Sequence, residues 1–116
     1  MVTLGEKQRL FARLVGQLIV WAYSRGFELT FGEALRTEAQ AAANAASGAG
    51  ISNSLHKIRL AIDMNLFVAG IYQTDSGAYK PLGDYWKSLH PLCRWGGDFV
   101  KRPDGNHFSL EHEGVR

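Results

Sequence analysis

The stretch Ile58-Arg59-Leu60-Ala61-Ile62-Asp63-Met64-Asn65-Leu66 decides the fold. With the two-residue period of a β-strand, Ile58, Leu60, Ile62, Met64 and Leu66 fall on one face. Arg59, Ala61, Asp63 and Asn65 fall on the other. A face this regularly apolar must be buried against another layer. The opposite face is left to carry a carboxylate, Asp63, with small Ala61 beside it.

Downstream, Ala69-Gly70 reads as a turn into a second strand, Ile71-Tyr72-Gln73, and Asp75-Ser76-Gly77 as a loop. Pro81 suits the first turn of a helix whose apolar stripe is Leu82, Tyr85, Trp86 and Leu89. A loop rich in Gly, Asp and Pro follows from Trp95 to Asn106. His107-Phe108-Ser109-Leu110-Glu111 then alternates as a closing strand. Phe108 and Leu110 are expected in the core, with His107, Ser109 and Glu111 pointing away.

Upstream, Thr3 and Glu6 have capping-box spacing, and Leu10, Phe11, Leu14, Leu18 and Trp21 recur at helical steps up to a stop at Gly26. Phe27-Glu28-Leu29-Thr30-Phe31 alternates as a half-buried strand. Thr37 with Gln40 opens a short alanine-rich helix ending near Ser47-Gly48, and Gly48 to Ser54 is loop by composition. The order α, β, α, β, β, α, β predicts an α+β fold, a small mainly antiparallel sheet packed with about three helices. Residues 1–116 form one expected domain.

Composition bounds what such a domain does. An apolar content of 46% across 116 residues supports an ordinary folded core. A net charge of +2 gives no strong electrostatic case for nucleic acid, although Lys87, Arg94, Trp95, Lys101 and Arg102 mix basic and aromatic groups. Cys93 is the single cysteine, so no internal disulfide forms. It reads as a small semi-buried side chain, because no signature pairs it with His90 as a nucleophile. The most apolar run, Leu14 to Tyr23, contains Gln17 between Arg13 and Arg25 and falls well short of the ~20 residues of a membrane span. No secretory signal is visible, so synthesis in the cytoplasm is expected.

Asp63 and His107 both emerge on strand faces that the core does not need. His56 precedes the first strand and is placed to reach back over the same face. Two imidazoles and a carboxylate, with water in a fourth position, form a recurring catalytic zinc set. Spacing alone leaves the plainer reading open. A lone strand aspartate is more often solvated, and a histidine among four (His56, His90, His107, His112) is more often structural.

Longer motifs add to this. Ser54-Leu55-His56-Lys57-Ile58-Arg59-Leu60-Ala61-Ile62-Asp63 resembles the Ser-x-His-x-x-Gly-x-Ala-x-Asp motif of the zinc D-Ala-D-Ala carboxypeptidase and L-alanyl-D-glutamate endopeptidase family, which includes single-domain phage endolysins. Trp95-Gly96-Gly97-Asp98-Phe99 and Asp104-Gly105-Asn106-His107-Phe108 resemble its Trp-Gly-Gly-Asp and Asp/Glu-x-x-His-Phe motifs. Arg36, ahead of Thr37 and Gln40, matches an arginine before a Gln-bearing helix. These blocks run from about Arg36 to the C-terminus in the family's order.

The resemblance implies a Hedgehog/DD-peptidase-like fold and one Zn2+ per chain, held by His56, Asp63 and His107. It implies Asp104 as general base, although Pro103-Asp104-Gly105 is also a plain turn signal. Arg36 would stabilise an oxyanion or bind a substrate carboxylate. Ser54, Arg59, Trp95 and Asp98 would line the substrate cleft, with a turn serine and a core tryptophan as close competitors. Glu111 and His112 look solvent-facing. The implied substrate is the peptide of bacterial peptidoglycan, met after release from the cytoplasm by a monomer without membrane span or nucleic-acid partner. Endopeptidase and D,D-carboxypeptidase stay unseparated, and a non-catalytic wall-binding module on the same fold is the runner-up.

One position departs from the motif. Arg59 stands where the family has glycine. Either the backbone there needs a glycine conformation, which arginine would strain, or Arg59 shares the face of Asp63 and reaches the cleft rim.

Overall fold

A computed structural model describes residues 3–32 and 55–116. The first element is α1 (Leu4–Ser24). Thr3 caps it at the spacing expected: its Oγ1 accepts the Glu6 amide at 3.1 Å, and its hydroxyl donates to Glu6 Oε1 at 3.1 Å. Phe11, Leu14, Val15, Leu18 and Ala22 are buried, and Leu10 and Trp21 pack partly buried at the edge of that stripe. Gly26, at φ 80°, takes the left-handed conformation that turns the chain into β1 (Phe27–Phe31).

A 3-10 turn (Leu55–Ile58) leads into β2 (Ala61–Val68), which Ala69-Gly70 connects to β3 (Ile71–Tyr72). A second 3-10 turn (Ser76–Tyr79) runs directly into α2 (Lys80–Leu89), with Pro81 in the first turn and Leu82 and Trp86 buried. Then come β4 (Cys93–Trp95), a 3-10 turn (Gly96–Asp98) and β5 (His107–Leu110). The sheet order is β1-β2-β5-β4, with β3 added to β2, and every pairing is antiparallel. Among the described residues this is two helices and five strands, the α+β architecture the sequence implies. The expected alanine-rich helix from Thr37 lies outside the described residues.

The core forms where α1 and α2 cover one face of the sheet. Trp86 is fully buried, edge-on to Phe11 at 5.7 Å and to Phe108 at 6.1 Å. Its indole N–H lies 3.0 Å from the Arg94 carbonyl and 3.2 Å from that of Ser109, so the polar edge of a buried ring is satisfied.

Three details differ from the sequence reading. The strand expected from Ile58 starts at Ala61, because the Leu60 amide closes back on the Leu55 carbonyl at 3.0 Å and keeps the preceding residues in a turn. Cys93–Trp95, read as connection, pairs with β5 through Cys93 opposite Leu110 and Trp95 opposite Phe108. Three residues are too few to show alternation. Ser109, expected to point away from the core, is fully buried, since β5 is paired on both edges and covered on both faces.

Arg59 is the hinge of the turn before β2. Its φ of 59° is left-handed, a conformation that costs an L-residue roughly 1–2 kcal/mol and glycine almost nothing. That is the physical reason for a glycine at this place in the motif. The side chain belongs to a groove of about 440 Å³ beside α1, with Gln8, Phe11, Ala12, Val15 and Phe31 among its walls. Arg59→Gly should therefore raise stability by up to about 1 kcal/mol, part of the relief being returned as chain entropy in the unfolded state. The urea midpoint checks this, and a lower midpoint would mean that the arginine's contacts along α1 outweigh the strain.

Candidate metal centre

The site is assembled by strand register. Asp63 of β2 stands directly opposite His107 of β5, so their side chains leave the sheet on the same face, roughly 5 Å apart at Cβ. His56 enters from the 3-10 turn that precedes β2, where it is 3% exposed. Its Nε2 lies 3.5 Å from Asp63 Oδ1, and His107 Nδ1 lies 3.4 Å from the same oxygen. The two rings meet edge-on with centroids 5.3 Å apart, and Phe99 walls the far side of His107 at 5.5 Å.

These donors fit a metal ion. One atom from each of the three residues lies within 4.8 Å of the others. Ligands about 2 Å from a shared tetrahedral centre stand about 3.3 Å from one another. The observed 3.4 and 3.5 Å match that spacing and are long for direct hydrogen bonds, which cluster near 2.9–3.0 Å. Asp63 Oδ1 and His107 Nε2 are buried without a hydrogen-bond partner among the described residues. Burial pushes the Asp63 carboxyl up, but contacts with His107 and His56 and their charge outweigh it and hold it at about 2. The carboxylate is thus ionised throughout the neutral range, as a metal ligand must be.

Asp104 sits in the loop entering β5, three residues before His107. Its amide donates to the Gly96 carbonyl at 2.8 Å and its carbonyl accepts the His107 amide at 3.1 Å, tying the loop to the strand that carries His107. A Cβ on Gly96 would come within 2.1 Å of the Asp104 carbonyl oxygen and 2.7 Å of His107 Cβ, so only glycine admits this approach. The residue is open to solvent, yet surrounding protein raises its carboxyl above the usual aspartate range. The negative charge of Asp63 raises it further, against a downward pull from His107 and His56.

The remaining sequence-predicted positions fall in different places. Arg36 and Ser54 lie outside the described residues. Trp95 is 6% exposed and lies beneath the Asp104 loop, donating its indole N–H to the Gly105 carbonyl at 2.7 Å; its ring fills space that a Cβ on Gly83 or Gly97 would enter. Asp98 is half exposed and pairs with Lys87 at 2.7 Å. Arg59 faces the α1 groove described above, so the alternation that set it on the face of Asp63 ends where the strand begins at Ala61. Glu111, taken as solvent-facing, bridges Arg94 and Arg116 at 3.2 and 3.1 Å, and His112 Nδ1 meets Lys7 at 3.1 Å. Cys93 is buried, and its thiol is pushed up to about 12 by that burial, against weaker pulls from the His90 backbone and Arg94. It is no nucleophile at neutral pH.

Sequence reasoning missed Ser76, whose Oγ accepts the Gly105 amide at 3.0 Å. In sequence it sits in Asp75-Ser76-Gly77, indistinguishable from any polar turn.

A family model described as D-alanyl-D-alanine carboxypeptidase matches residues 47–110, more than half of the chain. The chain belongs to this family. That matched span contains His56, Asp63, His107 and Asp104. The L-alanyl-D-glutamate peptidase of Listeria phage A118 is 33% identical over 104 residues, covering 84% of this chain and 36% of that protein. The chain therefore spans about a third of that relative's length. Among solved structures, the fold is similar to Serratia marcescens L-Ala D-Glu endopeptidase ChiX, with TM-score 0.71, 23% identity, and coverage of 86% of this chain and 79% of that one. It is also similar to a variant of the vancomycin resistance D,D-pentapeptidase VanY from a VanB-type cassette, a structure in complex with Zn(II), with TM-score 0.58, 17% identity and coverage of 86% and 70%. No helix among the described residues is long and apolar enough to cross a membrane.

Proposed function

We propose that this member of the D-alanyl-D-alanine carboxypeptidase family is a zinc metallopeptidase that cuts the stem peptides of bacterial peptidoglycan, as an endolysin-like L-alanyl-D-glutamate endopeptidase. The observation that carries the reading is the convergence of His56, Asp63 and His107 within 4.8 Å, in a chain of this family. The identity with the phage peptidase favours the endopeptidase over a D,D-carboxypeptidase.

His56, Asp63 and His107 would hold one zinc per chain. When bound, the metal acts as a Lewis acid that brings the pKa of water down to about 7. Asp104 takes a proton from the attacking water onto its carboxylate and delivers one to the leaving amine. A carboxyl already raised from its ordinary range suits both halves of that exchange. Arg36 is assigned the developing oxyanion or a substrate carboxylate, and Ser54 the orientation of His56 or a contact to substrate. Trp95 acts from beneath, through the loop that carries Asp104. The protein works as a monomer on the cell wall after leaving the cytoplasm.

Mass spectrometry of muropeptides digested by the zinc-loaded protein tests this. Fragments separated between L-alanine and D-glutamate are expected. Release of single D-alanine residues would instead assign a D,D-carboxypeptidase. Wall binding without new fragments would assign a non-catalytic module.

A further inference from the structure

The loop that carries Asp104 is gripped from outside its own segment. The Gly105 amide donates to Ser76 Oγ at 3.0 Å, across 29 residues of chain. The two backbones touch there, because a Cβ on Gly105 would stand 2.7 Å from Ser76 Cα. On the other side of the same residue, the Gly105 carbonyl accepts the buried Trp95 indole N–H at 2.7 Å. Ser76 is itself anchored to the strand that bears Asp63. It opens the 3-10 turn that ends in Tyr79, whose hydroxyl accepts the Leu66 amide of β2 at 3.0 Å and donates to the Gln73 carbonyl at 2.8 Å. Ser76 and Asp104 line one polar cavity of about 210 Å³, together with Tyr72, Thr74 and Asn106.

We infer that Ser76 is a positioning residue for Asp104: by holding the Gly105 amide, its hydroxyl sets where the Asp104 carboxylate stands relative to His56, Asp63 and His107. The inference rests on the reading of Asp104 as general base. Without the hydroxyl, a half-buried amide loses its partner. The loop then keeps its bonds to Trp95, Gly96 and His107 and that of the Asn106 carbonyl to the Met64 amide at 2.8 Å, and its Asp104–Gly105 segment can shift between those contacts. A displacement of about 1 Å in a reacting group costs on the order of a hundredfold in rate. Since these other restraints remain, the loss is partial.

The test compares Ser76→Ala, Ser76→Thr, Asp104→Ala and the Ser76→Ala/Asp104→Ala double variant. Each is the full chain loaded with zinc, assayed on purified peptidoglycan peptides, with metal content and melting temperature measured alongside. Ser76→Ala should lower kcat by about tenfold to a hundredfold, with KM within about threefold of the parent and zinc content unchanged. Ser76→Thr, which keeps the acceptor oxygen, should recover most of the loss. In the Asp104→Ala background Ser76→Ala should cost nothing further, because a group acting through Asp104 has nothing left to position. Full kcat in Ser76→Ala beside an inactive Asp104→Ala overturns the inference and leaves the base intact. Full kcat in Asp104→Ala removes the base and this inference with it. A loss from Ser76→Ala that persists undiminished in the Asp104→Ala background marks a general structural role, which also overturns it. Should Ser76→Ala not fold, Ser76→Cys keeps the volume while accepting hydrogen bonds only weakly, and carries the same comparisons.

Discussion

Asp104→Ala is expected to bind zinc like the parent protein and to lose hydrolysis by about a hundredfold to ten-thousandfold, the range a positioned general base contributes. The reasoning separates two groups that lie close together. The three donor atoms come from the turn before β2, from β2 and from β5, and none depends on the Asp104 side chain. What ties Asp104 to the site is backbone: its amide to the Gly96 carbonyl and its carbonyl to the His107 amide. Alanine keeps both bonds and removes only the carboxylate. Metal content measured on the purified variant should therefore be unchanged while kcat collapses. Asp104→Asn should behave alike, since an amide of the same shape cannot accept the proton. Turnover at the parent level in either variant would falsify the role of base.

Removing the metal should have the second large effect. Chelation is expected to abolish hydrolysis, and zinc at one equivalent per chain to restore it. Stability should move as well. Metal-free, the site presses a half-buried carboxylate against two buried imidazoles, with Asp63 Oδ1 and His107 Nε2 lacking hydrogen bonds among the described residues. A ligand that binds only the folded state at a thousandfold excess over its Kd adds about 4 kcal/mol, or on the order of 10–20 °C in Tm for a domain of this size. Asp63→Ala should lose both the activity and the zinc-dependent shift. Full hydrolysis by metal-free protein would sink the mechanism. A zinc-dependent shift that survives Asp63→Ala would place the ion elsewhere.

The two effects fall on different layers of the same architecture. His56, Asp63 and His107 are held by strand pairing and a short turn, with Phe99 beside His107. Asp104 is held by a loop whose glycines let three pieces of backbone meet. Substitutions in the first layer should change metal affinity, and those in the second should change turnover at constant metal content.

Much of this was legible in the residues. The alternation of Ile62, Met64 and Leu66 placed Asp63 on the face away from the core, and the capping and apolar stripe of α1 were correct to within a few positions. Those signals are local: they rest on periods of 2 and 3.6 residues, which any window of chain displays. The motifs around His56, Asp63, Asp104 and His107 likewise named the candidate site before any geometry was known.

Tertiary structure decided the rest, because it depends on contacts between residues far apart in sequence. Only register shows that Asp63 faces His107 directly, which brings their side chains together. Only the turn before β2 shows that Arg59 is left-handed at φ 59°, which explains the motif's glycine and breaks the alternation that had set Arg59 beside Asp63. Burial on both faces of β5 hid Ser109, since covering layers leave no periodic trace in the strand they cover. Ser76 meets Gly105 across 29 residues, and no local pattern marks a turn serine that will hold the loop of Asp104. The sequence by itself determined which side chains are candidates for the chemistry; the packing of backbone against backbone decided their distances.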